Sequence, residues 1–132
     1  MIDYLLDTNI VIYTMKNRPA AVRDRFSYHY GAMAVSTVTL MELYYGAERS
    51  MKPVENRALV DGFCARLDVL PYDPKAALHT AQIRAELAST GSTIGSYDSM
   101  IAGHARANGF ILVTRNTAEF TRVPGLRVEN WA

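Results

Sequence analysis

Ile2-Asp3-Tyr4-Leu5-Leu6-Asp7-Thr8-Asn9 is a short apolar run that stops abruptly on an acid, a hydroxyl and an amide. Ile2 to Leu6 reads as a buried strand, with Thr8 and Asn9 as cap residues for a helix over Ile10 to Lys16. The same grammar returns along the chain. Met33 to Ser36 is a second short apolar run, and Ser36 and Thr37 lead into a helical stripe through Leu40, Leu43, Tyr44 and Ala47. Val69 and Leu70 are a third candidate strand. Phe110 to Val113, four apolar residues in a row, is the strongest buried-strand signal, and Leu126, Val128 and Trp131 suit a last edge strand.

Helical patterns fill the intervals. One follows Pro19 with Val22 and Phe26, and one opens at Pro53 with Leu59, Val60, Phe63 and Leu67. A strong helix runs from Pro74 to Leu87, capped by Asp73, and another begins at Ser96 or Asp98 and ends at Asn108-Gly109. Strands without a polar face, alternating with helices, predict an α/β fold. The expected core is a parallel sheet of about four to five short strands covered by helices on both sides.

The chain has 132 residues, which is the length of one ordinary domain, so residues 1–132 are expected to form a single one. A hydrophobic share of 49% is enough to drive collapse and excludes disorder. Lys+Arg 14 against Asp+Glu 13 leaves a formal charge of +1, which excludes a highly basic coat that grips nucleic acid by bulk charge. A lone cysteine, Cys64, excludes an intrachain disulfide framework and a thiolate zinc cage, and suits a reducing cytoplasm. No stretch approaches the about 20 apolar residues of a membrane span, and Asp3 stands where a signal peptide would be basic. A cytoplasmic protein with no membrane partner is expected.

In open α/β sheets, sites form beyond the carboxyl ends of the strands. Four acids fall there in sequence: Asp7 closes the first strand, and Glu42 lies one to two turns into the helix after the second. Asp98 starts the helix that feeds the last buried strand, and Glu119 follows that strand by six residues. If those strands are neighbours, the four carboxylates converge. Clustered carboxylates repel and must bind protons or cations. Oxygen-only ligands suit Mg²⁺ or Mn²⁺, and such a cation activates water and neutralises charge on a phosphodiester. The reaction class that follows is metal-assisted phosphodiester hydrolysis. Taken singly, an Asp after a strand is more often a turn or helix cap than a ligand; it is convergence that shifts the odds.

Four motifs carry a resemblance over nearly the whole chain: Leu5-Leu6-Asp7-Thr8-Asn9; Ser36-Thr37-Val38 up to Met41-Glu42-Leu43 with Gly46; Tyr97-Asp98-Ser99-Met100-Ile101-Ala102; and Leu112-Val113-Thr114 up to Glu119-Phe120. In this order they resemble PIN-domain proteins, and more narrowly the VapC-type toxins of bacterial toxin–antitoxin pairs. The resemblance implies a PIN-like fold and endoribonuclease activity, with Asp7, Glu42 and Asp98 holding Mg²⁺ or Mn²⁺. It makes Asn9 the residue that orients the carboxylates and Thr114 a hydroxyl lining the same pocket. The family's usual fourth acid stands two residues after that Thr, where this chain has Asn116; Glu119 is the nearest replacement, and a weak or absent second metal site is implied. Ile101-Ala102-Gly103-His104-Ala105-Arg106 looks like the enteric members, which cut initiator tRNA in the anticodon stem-loop. A homodimer and a VapB-type antitoxin partner are implied in the same way.

Other residues invite sharper readings than they support. His29, His79 and His104 show no ligand spacing with each other or with Cys64, and read as surface or hydrogen-bonded histidines. Ser36 and Ser99 lack a partnered base in any recognisable motif, which argues against nucleophilic catalysis. Arg115, next to the expected pocket, is the best single candidate for touching RNA, because an acidic site needs local cations to receive phosphate. Tyr13, Tyr44 and Tyr45 are read as interface residues. Two rival functions remain at this level: a PIN-like module that binds without cutting, and a metal-dependent nuclease acting on DNA.

Overall fold

The computed structural model describes all 132 residues. Five strands, β1 (Tyr4–Leu6), β2 (Met33–Ser36), β3 (Asp68–Leu70), β4 (Ile111–Val113) and β5 (Arg127–Glu129), form one parallel sheet in the order β3-β2-β1-β4-β5. The helices are α1 (Thr8–Asn17), α2 (Ala20–Tyr28), α3 (Thr37–Glu48), α4 (Pro53–Cys64), α5 (Pro74–Ser89), α6 (Ser96–Asn108) and the short α7 (Thr117–Phe120). The expected α/β architecture is present, with five strands.

The strands are apolar on both sides because both sides are covered. Leu5, Ala34 and Leu112 face one core with Ile83 and Leu87 of α5 and Ile101, Ala102 and Ala105 of α6. Leu6, Met33, Val35 and Val113 face the other, with Ile10 and Val11 of α1, Leu43 of α3 and Val60 of α4. Successive side chains of a strand point to opposite faces, so this two-sided burial is what erased any alternation from the sequence. The edge strands escape it: Asp68 and Val69 of β3 and Arg127 of β5 are exposed.

Several expectations need correction. The cap of α1 is Asp7, whose Oδ1 accepts from the Thr8 N–H at 2.8 Å; Thr8 and Asn9 already lie inside the helix. Helix α6 starts at Ser96, the first of its two expected positions, with Gly95 as its cap. Trp131 lies beyond β5 and is buried against Tyr4, Phe26 and a stacked His29 at 4.9 Å. Ser36 does have an imidazole partner: His104 Nδ1 lies 2.8 Å from its Oγ, in a fully buried contact that no solvent or substrate reaches.

The chain order places the site. From β1 it runs outward through β2 and β3, then returns to add β4 and β5 on the other side. The carboxyl ends of β1 and β4 therefore meet at the point where the winding reverses, which is where open α/β sheets leave a crevice.

Candidate active site

Asp7 stands in that crevice, 1% exposed. Its N–H donates to Val113 O at 2.9 Å, which ties the end of β1 to the end of β4. Its two carboxylate oxygens each take one donor: Oδ1 accepts from Thr8 N–H and Oδ2 from Thr114 Oγ1, both at 2.8 Å. Burial nevertheless lifts its pKa from 3.8 to about 6, with the charges of Glu42 and Glu119 adding to the lift against those two hydrogen bonds.

Glu42 reaches the same place from the second turn of α3, and Thr8 is what holds it. A hydroxyl has one proton to give; Thr8 Oγ1 gives it to Glu42 Oε1 at 2.7 Å, while Thr39 Oγ1, 3.0 Å away, supplies the proton that Thr8 accepts. Asp98 is in the first turn of α6, its carboxylate folded back over Gly95. Its pKa is pushed from 3.8 to about 7, first by burial, then by the charge of Asp7, by a hydrogen bond shared with Glu119, and by the charges of Glu119 and Glu42.

Glu119 is fixed in the first turn of α7. Its Oε2 accepts from Asn116 Nδ2 at 2.6 Å and its Oε1 from the Gly95 N–H at 3.4 Å. Asn116, standing two residues after Thr114, thus serves as the donor that turns Glu119 toward Asp98. Asn9 acts on the backbone and on a hydroxyl: its Oδ1 accepts from the Arg115 N–H at 3.1 Å and lies 3.2 Å from Thr114 Oγ1. All four acids named from the sequence therefore come within electrostatic reach of one another, with Asn9, Thr114, Asn116 and Arg115 around them.

No lysine or arginine compensates them. The chain's three ion pairs, Lys52–Glu55, Arg57–Glu48 and Arg106–Glu86, lie elsewhere. The largest concavity, a groove of about 580 Å³ between α1, α2 and α4, is lined by Arg18, Arg23, Phe26 and Phe63 among others and contains no carboxylate. The chemistry is at the strand ends.

The PIN-domain family profile matches residues 4–126. This chain belongs to the PIN-domain family. It is 58% identical, over the full length of both chains, to the tRNA(fMet)-specific endonuclease VapC of Shigella flexneri. It is 53% identical to the protein of that name from Salmonella typhimurium, over 99% of each chain. The DNA-bound VapBC structure from Salmonella typhimurium superposes with a TM-score of 0.98 at 53% identity over the whole of both chains. VapBC2 from Rickettsia felis, bound to a promoter fragment, does so with a TM-score of 0.95 at 36% identity, again over the whole of both chains.

The donor set of this PIN domain suits a hard divalent cation. Every donor is an oxygen, and a carboxylate oxygen that accepts one hydrogen bond keeps a lone pair for a metal. No three acidic or imidazole side chains are drawn together tightly enough to make a finished cage; three of the acids rest on protein donors instead. Thr8 was read as a helix cap, and no signal in the sequence showed that it fixes Glu42 from 34 residues away. Tyr13 had one: it is a helical turn from Asn9 on α1, so a residue gripped by Asn9 lies over its ring, and Arg115 does, at 3.9 Å.

Proposed function

We propose that this chain is a metal-dependent endoribonuclease toxin of the VapC type. Residues 1–132 work as one PIN domain in the cytoplasm, hydrolysing RNA phosphodiesters, with initiator tRNA as the first substrate to test. The observation that carries this reading is the convergence of Asp7, Glu42, Asp98 and Glu119 at the β1/β4 crevice with no protein cation to offset them. It is supported by a relative of 58% identity named for cutting tRNA(fMet). The neighbouring VapBC structures support a VapB-type antitoxin as the partner that silences it. A homodimer belongs to the same reading.

Asp7, Glu42 and Asp98 would hold Mg²⁺ or Mn²⁺, which when bound lowers the pKa of a water and neutralises charge on the phosphodiester. The chain's own residues do the rest. Thr8 and Thr114 keep Glu42 and Asp7 from swinging apart. Glu119, braced by Asn116 and the Gly95 N–H, holds the attacking water and takes up its proton. Arg115 supplies the local positive charge that lets a phosphate approach four carboxylates. The water oxygen bonds to phosphorus as one P–O ester bond breaks.

Purified chain, free of antitoxin, is incubated with total tRNA and Mg²⁺ or Mn²⁺, and fragment ends are mapped. A discrete cut that is lost with EDTA and in Asp98→Asn is expected. Intact tRNA after incubation with folded, metal-loaded protein would overturn the substrate, and intact RNA and DNA oligonucleotides alongside it would overturn the enzyme. Cutting of DNA alone would transfer the mechanism to the DNA reading.

A further inference from the structure

Arg115 is the cation closest in sequence to the site, yet it pairs with none of the four acids. Its guanidinium carbon lies over the Tyr13 ring instead, 3.9 Å from the centroid. The arrangement is anchored rather than loose. The Arg115 N–H donates to Asn9 Oδ1 at 3.1 Å, and that oxygen is 3.2 Å from the Thr114 hydroxyl, which donates to Asp7 Oδ2. Asn9 and Tyr13 are one turn apart on α1, so a single helix face holds both the backbone and the side chain of Arg115. Tyr13 is half-buried and Arg115 exposed. The guanidinium is therefore packed on the ring at an exposed position, one residue from a hydroxyl that touches Asp7.

We propose that Arg115 and Tyr13 form a stacking platform that takes an unpaired nucleobase beside the scissile phosphate and so determines where the chain cuts. This rests on the endoribonuclease reading. Unstacked bases of single-stranded loops are gripped on aromatic rings and on arginine planes, and an arginine already laid on a ring gives up little freedom when a base covers it. A point charge for phosphate would need neither the plane nor the ring. The two uses separate in Arg115→Lys, which keeps the charge and loses the plane.

Oligonucleotides spanning the cut, each with one abasic position, are cleaved by the wild type, Arg115→Lys and Tyr13→Leu. At one position flanking the cut, the missing base should lower wild-type kcat/KM between about 5- and 100-fold. The same lesion should lower that of either variant less than about twofold, because the partner of the base is already gone. Arg115→Lys should retain the wild-type salt dependence. In parallel, single-stranded RNA carrying 2-aminopurine is bound in EDTA, where fluorescence quenching reports stacking without any cutting. Quenching by the wild type that is lost in Arg115→Lys supports the platform even if no RNA is cut. Cutting without any position that couples to Arg115 or Tyr13 overturns the platform and leaves the ribonuclease standing. Absence of quenching with bound RNA overturns it too.

Discussion

Two polar clusters, one partly and one wholly buried, share helices α3 and α6 and are built to opposite specifications. Beyond the carboxyl ends of β1 and β4, Asp7, Glu42, Asp98 and Glu119 come together unmatched by any cation, and Asp7 and Asp98 are lifted in pKa. Six residues further along α6 from Asp98, His104 meets Ser36, the cap of α3, in a neutral pair. There Ser36 Oγ accepts from Val38 N–H at 3.1 Å and is hydrogen-bonded to His104 Nδ1, while burial keeps the imidazole below its ordinary pKa. Beside it the Tyr72 hydroxyl donates to Thr80 Oγ1, which donates to Ala76 O, so every group is satisfied. The neutral cluster clamps α6 to α3; the acids, of which Glu42 and Asp98 are carried on those two helices, have no cation to offset them and are left to bind one. Asp98→Asn should therefore erase cutting while the fold survives. Losing an outer-shell partner already costs about 10- to 100-fold, so a ligand change should cost no less. Without metal, the variant should melt no lower than the wild type, since it removes a repelling charge. Full activity in folded Asp98→Asn would falsify the carboxylate mechanism.

The clamp should respond the other way, losing stability first. A Cβ built on Gly103 would stand 2.1 Å from Thr80 Oγ1, 2.7 Å from Thr80 N and 2.9 Å from its Cα. Helices α5 and α6 touch backbone to backbone there, so the neighbour cannot swing aside. Gly103→Ala should destabilise by about 3 kcal/mol or more, seen as a lowered urea midpoint. Adding Thr80→Ala should rescue only part of this, because the backbone atoms remain. Complete rescue would mean that the hydroxyl alone makes the clash.

A smaller loss is expected from the hydrogen bond itself. Ser36→Ala leaves a buried imidazole nitrogen unpartnered and α3 uncapped, at about 1–3 kcal/mol. His104→Leu removes the other partner and puts an apolar group in its place. The double variant should be less destabilised than the two singles summed, because the unpaired atom is gone. Strict additivity would show that the two side chains contribute independently.

The two clusters also differ in how far they were legible. The acids were visible because each follows a strand end or lies in the first turns of a helix, and their meeting follows from a parallel topology that apolar strands announce. Glu119 was found as a substitute, but that Asn116 braces it depends on a turn geometry that no spacing encodes. Thr8 and Asn9 were named as the caps of α1 and Asp7 only in general terms, because all three residue types suit the position and only backbone angles decide. Ser36–His104 was read past entirely: 68 residues separate the two, and neither belongs to a local pattern. Long-range pairs of neutral groups leave no periodicity and no charge imbalance to notice.

The smallest effect is the one in which the clusters oppose each other. Asp7 and Asp98 have folded pKa values of about 6 and about 7, above the ordinary 3.8. The folded state therefore binds more protons than the unfolded one between pH 4 and 7, and without metal its stability falls as pH rises through that window. His104 has a lowered pKa, from an ordinary 6.5. Its contribution is present above that value and is lost as pH falls, the opposite slope. In EDTA the wild type should thus show a shallow rise in Tm, a few degrees, on going from pH 8 to pH 6. His104→Leu removes the opposing slope and should steepen that rise, Asp98→Asn should flatten it, and saturating Mg²⁺, which takes the place of the protons on the carboxylates, should flatten it as well. A His104→Leu protein whose Tm is as indifferent to pH as that of Asp98→Asn would mean that the acids are not strained in the free protein, and that the contrast between the clusters is one of position alone.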